Sequence, residues 1–156
     1  MTLQPIYISR SVINASDILH WFKNQGISNI VDDNDLHVTV VYSRNPVDMN
    51  TLILDTNNIT IDPNDSIFKM DLFDENQCLV MVYHNNFMQE RFNYFKQKQC
   101  SWDFPEYNCH ITITNNFHQS NIKLTDLKAF PEKIILGPEI LEPLNVEYEN
   151  NTAFGM

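Results

Sequence analysis

Apolar residues along this chain recur with two different periods, and the changes of period mark its elements. Residues 6–12 read as a first strand. Ile18, Leu19 and Phe22 then form a stripe at helical spacing. Asn14 stands at the N-cap position, Asp17 follows three residues on in capping-box spacing, and Gly26 closes the helix. Residues 36–42 (Leu-His-Val-Thr-Val-Val-Tyr) are rich in β-branched side chains and predict a strand ending before the turn-like Ser43-Arg44-Asn45-Pro46.

Residues 51–62 give one or two short strands. Residues 67–73 and 78–84 form a hairpin around Asp74-Glu75-Asn76-Gln77. Asn85 or Asn86 caps a second helix running through Phe87, Met88, Arg91, Phe92 and Phe95 to about Gln99, with Phe87, Phe92 and Phe95 as its core stripe. A further strand covers 107–114. After a polar loop, 133–136 and 140–144 look extended. Each half therefore carries a helix followed by a strand, which predicts an α+β chain of two pseudo-symmetric lobes around a central cleft. No linker divides it, so residues 1–156 are expected to form a single domain.

Those two strands carry the same triplet, His37-Val38-Thr39 and His110-Ile111-Thr112. Strand side chains alternate faces, so His37 and Thr39 share a face with Asp35, while Val38, Val40 and Tyr42 take the other. By the same rule His110, Thr112 and Thr114 share one face, with Ile111 and Ile113 turned into the core. Both imidazoles are expected on the wet side of their strands. With five His and nine Thr in 156 residues, two such pairings arise by chance roughly 3% of the time. The pattern suits phosphodiester cleavage, in which one group takes a proton from the nucleophile and another protonates the leaving oxygen. Imidazole titrates near ~6.5, so two of them serve as base and acid. Threonine hydroxyls can hold the non-bridging oxygens. The plainer alternative is a pair of structural histidines. A zinc site built from the two histidines and Asp35 has no supporting H-E-x-x-H or cysteine pair.

Composition narrows the substrate. Three glycines leave no phosphate-binding glycine loop, so side chains must do that work. A net charge of −10 disfavours long nucleic acids and leaves a small phosphorylated ligand as the fitting partner. Cys78, Cys100 and Cys109 are odd in number and unpaired in spacing, which suits a reducing compartment. No signal-peptide pattern and no apolar run of ~20 residues is seen, so a cytoplasmic protein with no membrane or obligatory protein partner is expected.

At the two triplets the chain resembles the 2H phosphoesterase superfamily, defined by paired H-x-T/S motifs in a bilobal α+β fold. Its flanks are similar to the phage anti-CBASS phosphodiesterases of that superfamily: Tyr7 and Ser9, Val12-Ile13-Asn14-Ala15, Asp35 to Thr39, Tyr42 to Asp48, Ser101-Trp102-Asp103 and Leu136-Gly137-Pro138-Glu139. The resemblance implies metal-independent, cofactor-free hydrolysis of 3′–5′ bonds in cyclic di- and trinucleotides containing adenine. It assigns acid/base roles to His37 and His110 and phosphate binding to Thr39 and Thr112. It puts Tyr7, Glu142 and Tyr148 against the nucleotide. The family usually carries Trp where this chain has Tyr148, and Glu139 is an alternative to Glu142 as the binding carboxylate. Trp102 is a base-stacking candidate or, equally, a core tryptophan. His20, His84 and His118 lack a partner pattern and read as ordinary, and Asp35 is placed to orient His37. The competing functions are a 2′,3′-cyclic phosphodiesterase or 2′,5′-ligase-like enzyme of RNA ends, and a non-catalytic sponge.

Overall fold

The computed structural model describes residues 2–75 and 77–144. Its elements in chain order are β1 (Leu3–Val12), α1 (Ala15–Asn24), β2 (His37–Asp48), β3 (Ile59–Ile61), β4 (Lys69–Phe73), β5 (Cys78–Val82), α2 (Asn86–Gln97), β6 (His110–Thr114) and β7 (Ile134–Pro143). They make two antiparallel sheets, one ordered β2-β1-β7-β3 and the other β4-β5-β6. This is the expected α+β arrangement. In each lobe a helix links two antiparallel neighbours, β1-α1-β2 in one and β5-α2-β6 in the other.

The helices follow their stripes. Ala15, Ile18, Leu19 and Phe22 are the buried positions of α1, and Met88, Phe92 and Phe95 those of α2. Burying side chains of this size contributes roughly 1.5–3 kcal/mol each. Phe87 departs from the expected stripe. It is 40% exposed, and the Arg10 guanidinium sits 5.9 Å from its ring centre. Asn85 caps α2 by accepting from Met88 N–H, at 3.0 Å. Asn14 precedes α1 without capping it. Its amide instead clamps the other end of the sheet, donating to the Lys133 carbonyl at 2.8 Å and accepting from Ile135 N–H at 3.0 Å. The capping-box spacing is thus overridden by a tertiary contact. Gly26, at φ 96°, does end the helix in the left-handed conformation.

Three segments differ from expectation. β2 runs on through Ser43-Arg44-Asn45-Pro46 to Asp48. It is an edge strand, where a proline without an N–H is tolerated, and its pairing with β1 is irregular there, between Gln4 and Ile6. β6 begins only at His110. The two extended stretches near the end are one strand, β7.

The lobes are tied along their motif strands. β2 packs beside β6. The Tyr107 hydroxyl, just ahead of β6, donates to the Thr39 carbonyl of β2 at 2.6 Å. Val31 N–H donates to the Ile113 carbonyl of β6 at 3.0 Å.

Candidate active site

The two H-x-T triplets open β2 and β6, and the lobes treat them alike. His37 Nδ1 lies 2.7 Å from the carbonyl oxygen of Asp35, and His110 Nδ1 lies 2.7 Å from the carbonyl oxygen of Asn108. In each case the ring grips the backbone two residues upstream. A carbonyl only accepts, so the proton sits on Nδ1 and the neutral ring carries its lone pair on Nε2. The Asp35 carboxylate is not the orienting group, and that residue belongs to a 3₁₀ turn (Asp33–Asp35) ahead of the strand. Each imidazole also meets an aromatic ring near edge-on: Tyr7 at 6.3 Å and 68° for His37, Phe73 at 4.9 Å and 72° for His110.

Each motif threonine is followed by an extra residue in its strand. Ser9 pairs with Thr39 but Ile8 pairs with Val41, so Val40 is inserted. Val80 pairs with Thr112 but Leu79 pairs with Thr114, so Ile113 is inserted. These bulges reset the alternation of faces, as bulges beside functional sites do. Val40 and Val41 are both fully buried. Tyr42 therefore returns to the face of Thr39, opposite Tyr7, whereas strict alternation puts it behind. Thr114 goes the other way. It pairs with Leu79 on the back, is fully buried and accepts the Asn116 N–H at 3.1 Å, and so leaves the face of Thr112.

The motif side chains are less wet than their strand pattern implies. His37 is partly exposed, but Thr39, His110 and Thr112 are only 6–8% exposed. Aromatic cover explains the recess. Tyr7 spans the front of the first sheet, and its hydroxyl is 2.9 Å from Thr39 Oγ1. Tyr107 covers from the β6 side. Burial raises its phenol well above the ordinary range, so it stays a neutral donor to the Thr39 carbonyl.

The family described as "Anti-CBASS protein Acb1" matches residues 4–151 of this sequence. The chain belongs to that family. Two relatives bearing the Acb1 name come from Caulobacter sp. (strain RHG1), 29% identical over 152 residues and 95% of this chain, and Sphingomonas paeninsulae, 27% identical over 143 residues and 88% of it. The chain spans 24% and 22% of their lengths. Among solved structures it is similar to one titled "Crystal structure of phosphoesterase", at TM-score 0.61, 11% identity, and 88% of this chain with 86% of that one. It is also similar to E. coli LigT in apo form, at TM-score 0.58, 12% identity, and 90% of this chain with 87% of LigT. The fold is therefore that of the LigT-like 2H phosphoesterases.

Tyr7 comes to Thr39 and His37. Glu142 pairs directly with Tyr7 across β1 and β7 and is exposed on that same face. Glu139 is elsewhere. Its carboxylate is fully buried behind the sheet, bound by Arg91 at 2.6 and 2.9 Å and 3.5 Å from Arg10. Arg10, itself fully buried, also binds Asp55 at 2.5 Å and the carbonyls of Asn57 and Gly137 at 3.0 Å. Glu139 is thus a structural counterion. Trp102 is half-buried in a ring cluster with Tyr42 (4.9 Å), Phe92 (5.2 Å) and Phe104 (5.9 Å), and its indole donates to the Glu106 carbonyl. Tyr148 lies outside the described residues.

Among the described residues no three His, Cys, Asp or Glu side chains group as a metal site, and no helix is long and apolar enough to cross a membrane. The three thiols are free and buried. Burial pushes Cys109 up to about 12 and Cys100 to about 11, and burial with the nearby Asp74 carboxylate pushes Cys78 to about 12, so none is a ready nucleophile.

Proposed function

We propose that the chain is a metal-independent phosphodiesterase of cyclic oligonucleotide immune signals, acting in the cytoplasm of a bacterial host against CBASS defence. One observation carries this reading within the Acb1 family: two imidazoles on neighbouring strands, each holding Nδ1–H on a carbonyl two residues upstream. That pairing gives two rings with the same tautomer and matched threonines, the arrangement a two-proton reaction needs.

In the proposed reaction His37 or His110 takes the proton of a ribose 2′-OH. The oxygen bonds to the adjacent phosphorus, the P–O5′ bond breaks, and the other imidazolium protonates the leaving oxygen. Water then opens the 2′,3′-cyclic phosphate with the roles exchanged. Thr39 and Thr112 donate to the non-bridging oxygens, where one such donor is worth ~10²–10³-fold in rate. Glu142 and Trp102 contact the nucleotide. Expected substrates are 3′,3′-cGAMP and cyclic tri-AMP.

The deciding experiment incubates the protein with labelled 3′,3′-cGAMP in EDTA, denatures it and chromatographs the nucleotide. Linear product is expected, with His37→Ala and His110→Ala each slower by at least ~10²-fold. Recovery of intact cyclic nucleotide would indicate a sponge. Faster cleavage of a 2′,3′-cyclic phosphate RNA end would move the assignment to RNA processing.

A further inference from the structure

Beyond the H-x-T pair, the second sheet ends in a cavity of about 450 Å³ that no motif announces. Its wall includes Ile67, Lys69, Val82, Asn85, Gln89 and Asn108. The volume is in the lower half of the usual range for small-molecule sites, roughly 300–1,000 Å³. That is room for one nucleotide unit, not for a whole cyclic dinucleotide.

Its position matters more than its size. Lys69 pairs with Val82, and Val82 pairs with His110, so the three stand side by side on one face of the sheet. Two strand spacings put the Lys69 and His110 Cα atoms ~10 Å apart. Asn108, whose carbonyl holds the His110 ring, is also in the wall. The cavity therefore starts where the His110 support ends.

The lining has the chemistry of a nucleotide. Lys69 is exposed and forms no hydrogen bond or ion pair among the described residues. In a chain of net charge −10, a free ammonium two strands from the phosphodiester site is placed to hold a second phosphate. Ile67 is 75% exposed and offers an apolar face to a base. The amides of Gln89 and Asn108 and the carboxylate of Asp65 offer donors and acceptors to its edge.

We propose that this cavity binds the nucleotide unit adjoining the scissile phosphate, with Lys69 Nζ on that unit's own phosphate. The inference rests on the cyclic-oligonucleotide reading above and adds to it a specificity subsite. It accounts for how a compact substrate with two phosphates is told from a simple diester.

The test compares 3′,3′-cGAMP with adenosine 3′-(p-nitrophenyl) phosphate, a simple diester that keeps the attacking 2′-OH but has one phosphate and no second nucleotide. Lys69→Met should raise KM for 3′,3′-cGAMP about tenfold more than KM for the simple diester, with kcat for the dinucleotide changed less than about twofold. Lys69→Arg should restore most of the loss. An equal effect on both substrates, no effect, or no rescue by arginine overturns the subsite. Those outcomes leave wild-type turnover of 3′,3′-cGAMP intact. Absence of that turnover in the wild type would instead overturn the cyclic-oligonucleotide reading, and the subsite with it.

Discussion

The Tyr7 hydroxyl and Thr39 Oγ1 lie 2.9 Å apart on neighbouring strands of one sheet. A hydroxyl that accepts from one neighbour turns its own proton elsewhere, and linked hydrogen bonds of this kind polarise one another. Either hydroxyl can be the donor in this pair; if Thr39 donates to the phosphate as proposed, Tyr7 donates to Thr39 and is a positioning residue. Tyr7→Phe keeps the ring and its edge contact with His37. It should lower kcat about fivefold, leave KM within about twofold, and scarcely move the melting temperature. An unchanged kcat would show that Thr39 needs no partner.

The two glutamates of β7 should separate cleanly. Glu139→Gln removes the buried counterion of Arg91 and one of the two carboxylates facing Arg10, and breaking such a buried pair costs ~3–5 kcal/mol. For a chain of this size that corresponds to a melting temperature lower by roughly 6–20 °C. Glu142→Gln, at an exposed position opposite Tyr7, should leave melting unchanged and raise KM for the cyclic nucleotide several-fold. Thermal melts and initial rates on the two variants decide it. Equal destabilisation by both would remove the distinction between the front and back of the sheet.

Much of this division was open to sequence reasoning, and what escaped it has physical causes. Both helices were legible because a 3.6-residue stripe is hard to imitate, and both motif strands because β-branched residues flank a repeated His-x-Thr. The bulges were not. Val40 and Ile113 are β-branched residues inside β-branched runs, and nothing in residue type marks one of them as inserted. Strict alternation puts Tyr42 and Thr114 on the wrong faces for that reason alone. The groups that hold the imidazoles are backbone carbonyls, which every residue has. Arg10 in a strand reads as a solvated position, and its burial depends on Asp55 and Glu139, 45 and 129 residues away.

That same network sets an acid limit. Burial works against the Asp55 carboxylate. Its hydrogen bond and charge interaction with Arg10, and the hydrogen bonds from Asn57, outweigh burial and leave its pKa below the ordinary 3.8. A depressed folded-state pKa adds stability that is present above the unfolded value and is lost as pH falls through the folded value. The wild type should therefore lose stability below about pH 3.8 more steeply than Asp55→Asn, which has no such proton to take up. Urea midpoints of both proteins between pH 2 and 6 give the comparison. Parallel curves would show that Arg10 does not depend on the Asp55 charge.

Thr112 and Thr114 test the bulge directly, because they differ by two residues and face opposite sides of one strand. Valine nearly matches threonine in shape, so each substitution removes a hydroxyl and little else. At Thr112 the lost hydroxyl is the proposed phosphate donor, and Thr112→Val should cost ~10²-fold in kcat with the fold intact. At Thr114 the hydroxyl oxygen accepts the Asn116 N–H in a fully buried setting. Thr114→Val leaves that donor unsatisfied, at ~1–3 kcal/mol, and should lower the melting temperature by several degrees while turnover of folded protein stays within about twofold. Were the strand regular, both hydroxyls would share the front, and both variants would lose turnover. A Thr114→Val enzyme as impaired as Thr112→Val would therefore contradict the bulge at Ile113 and the face assignment that follows from it.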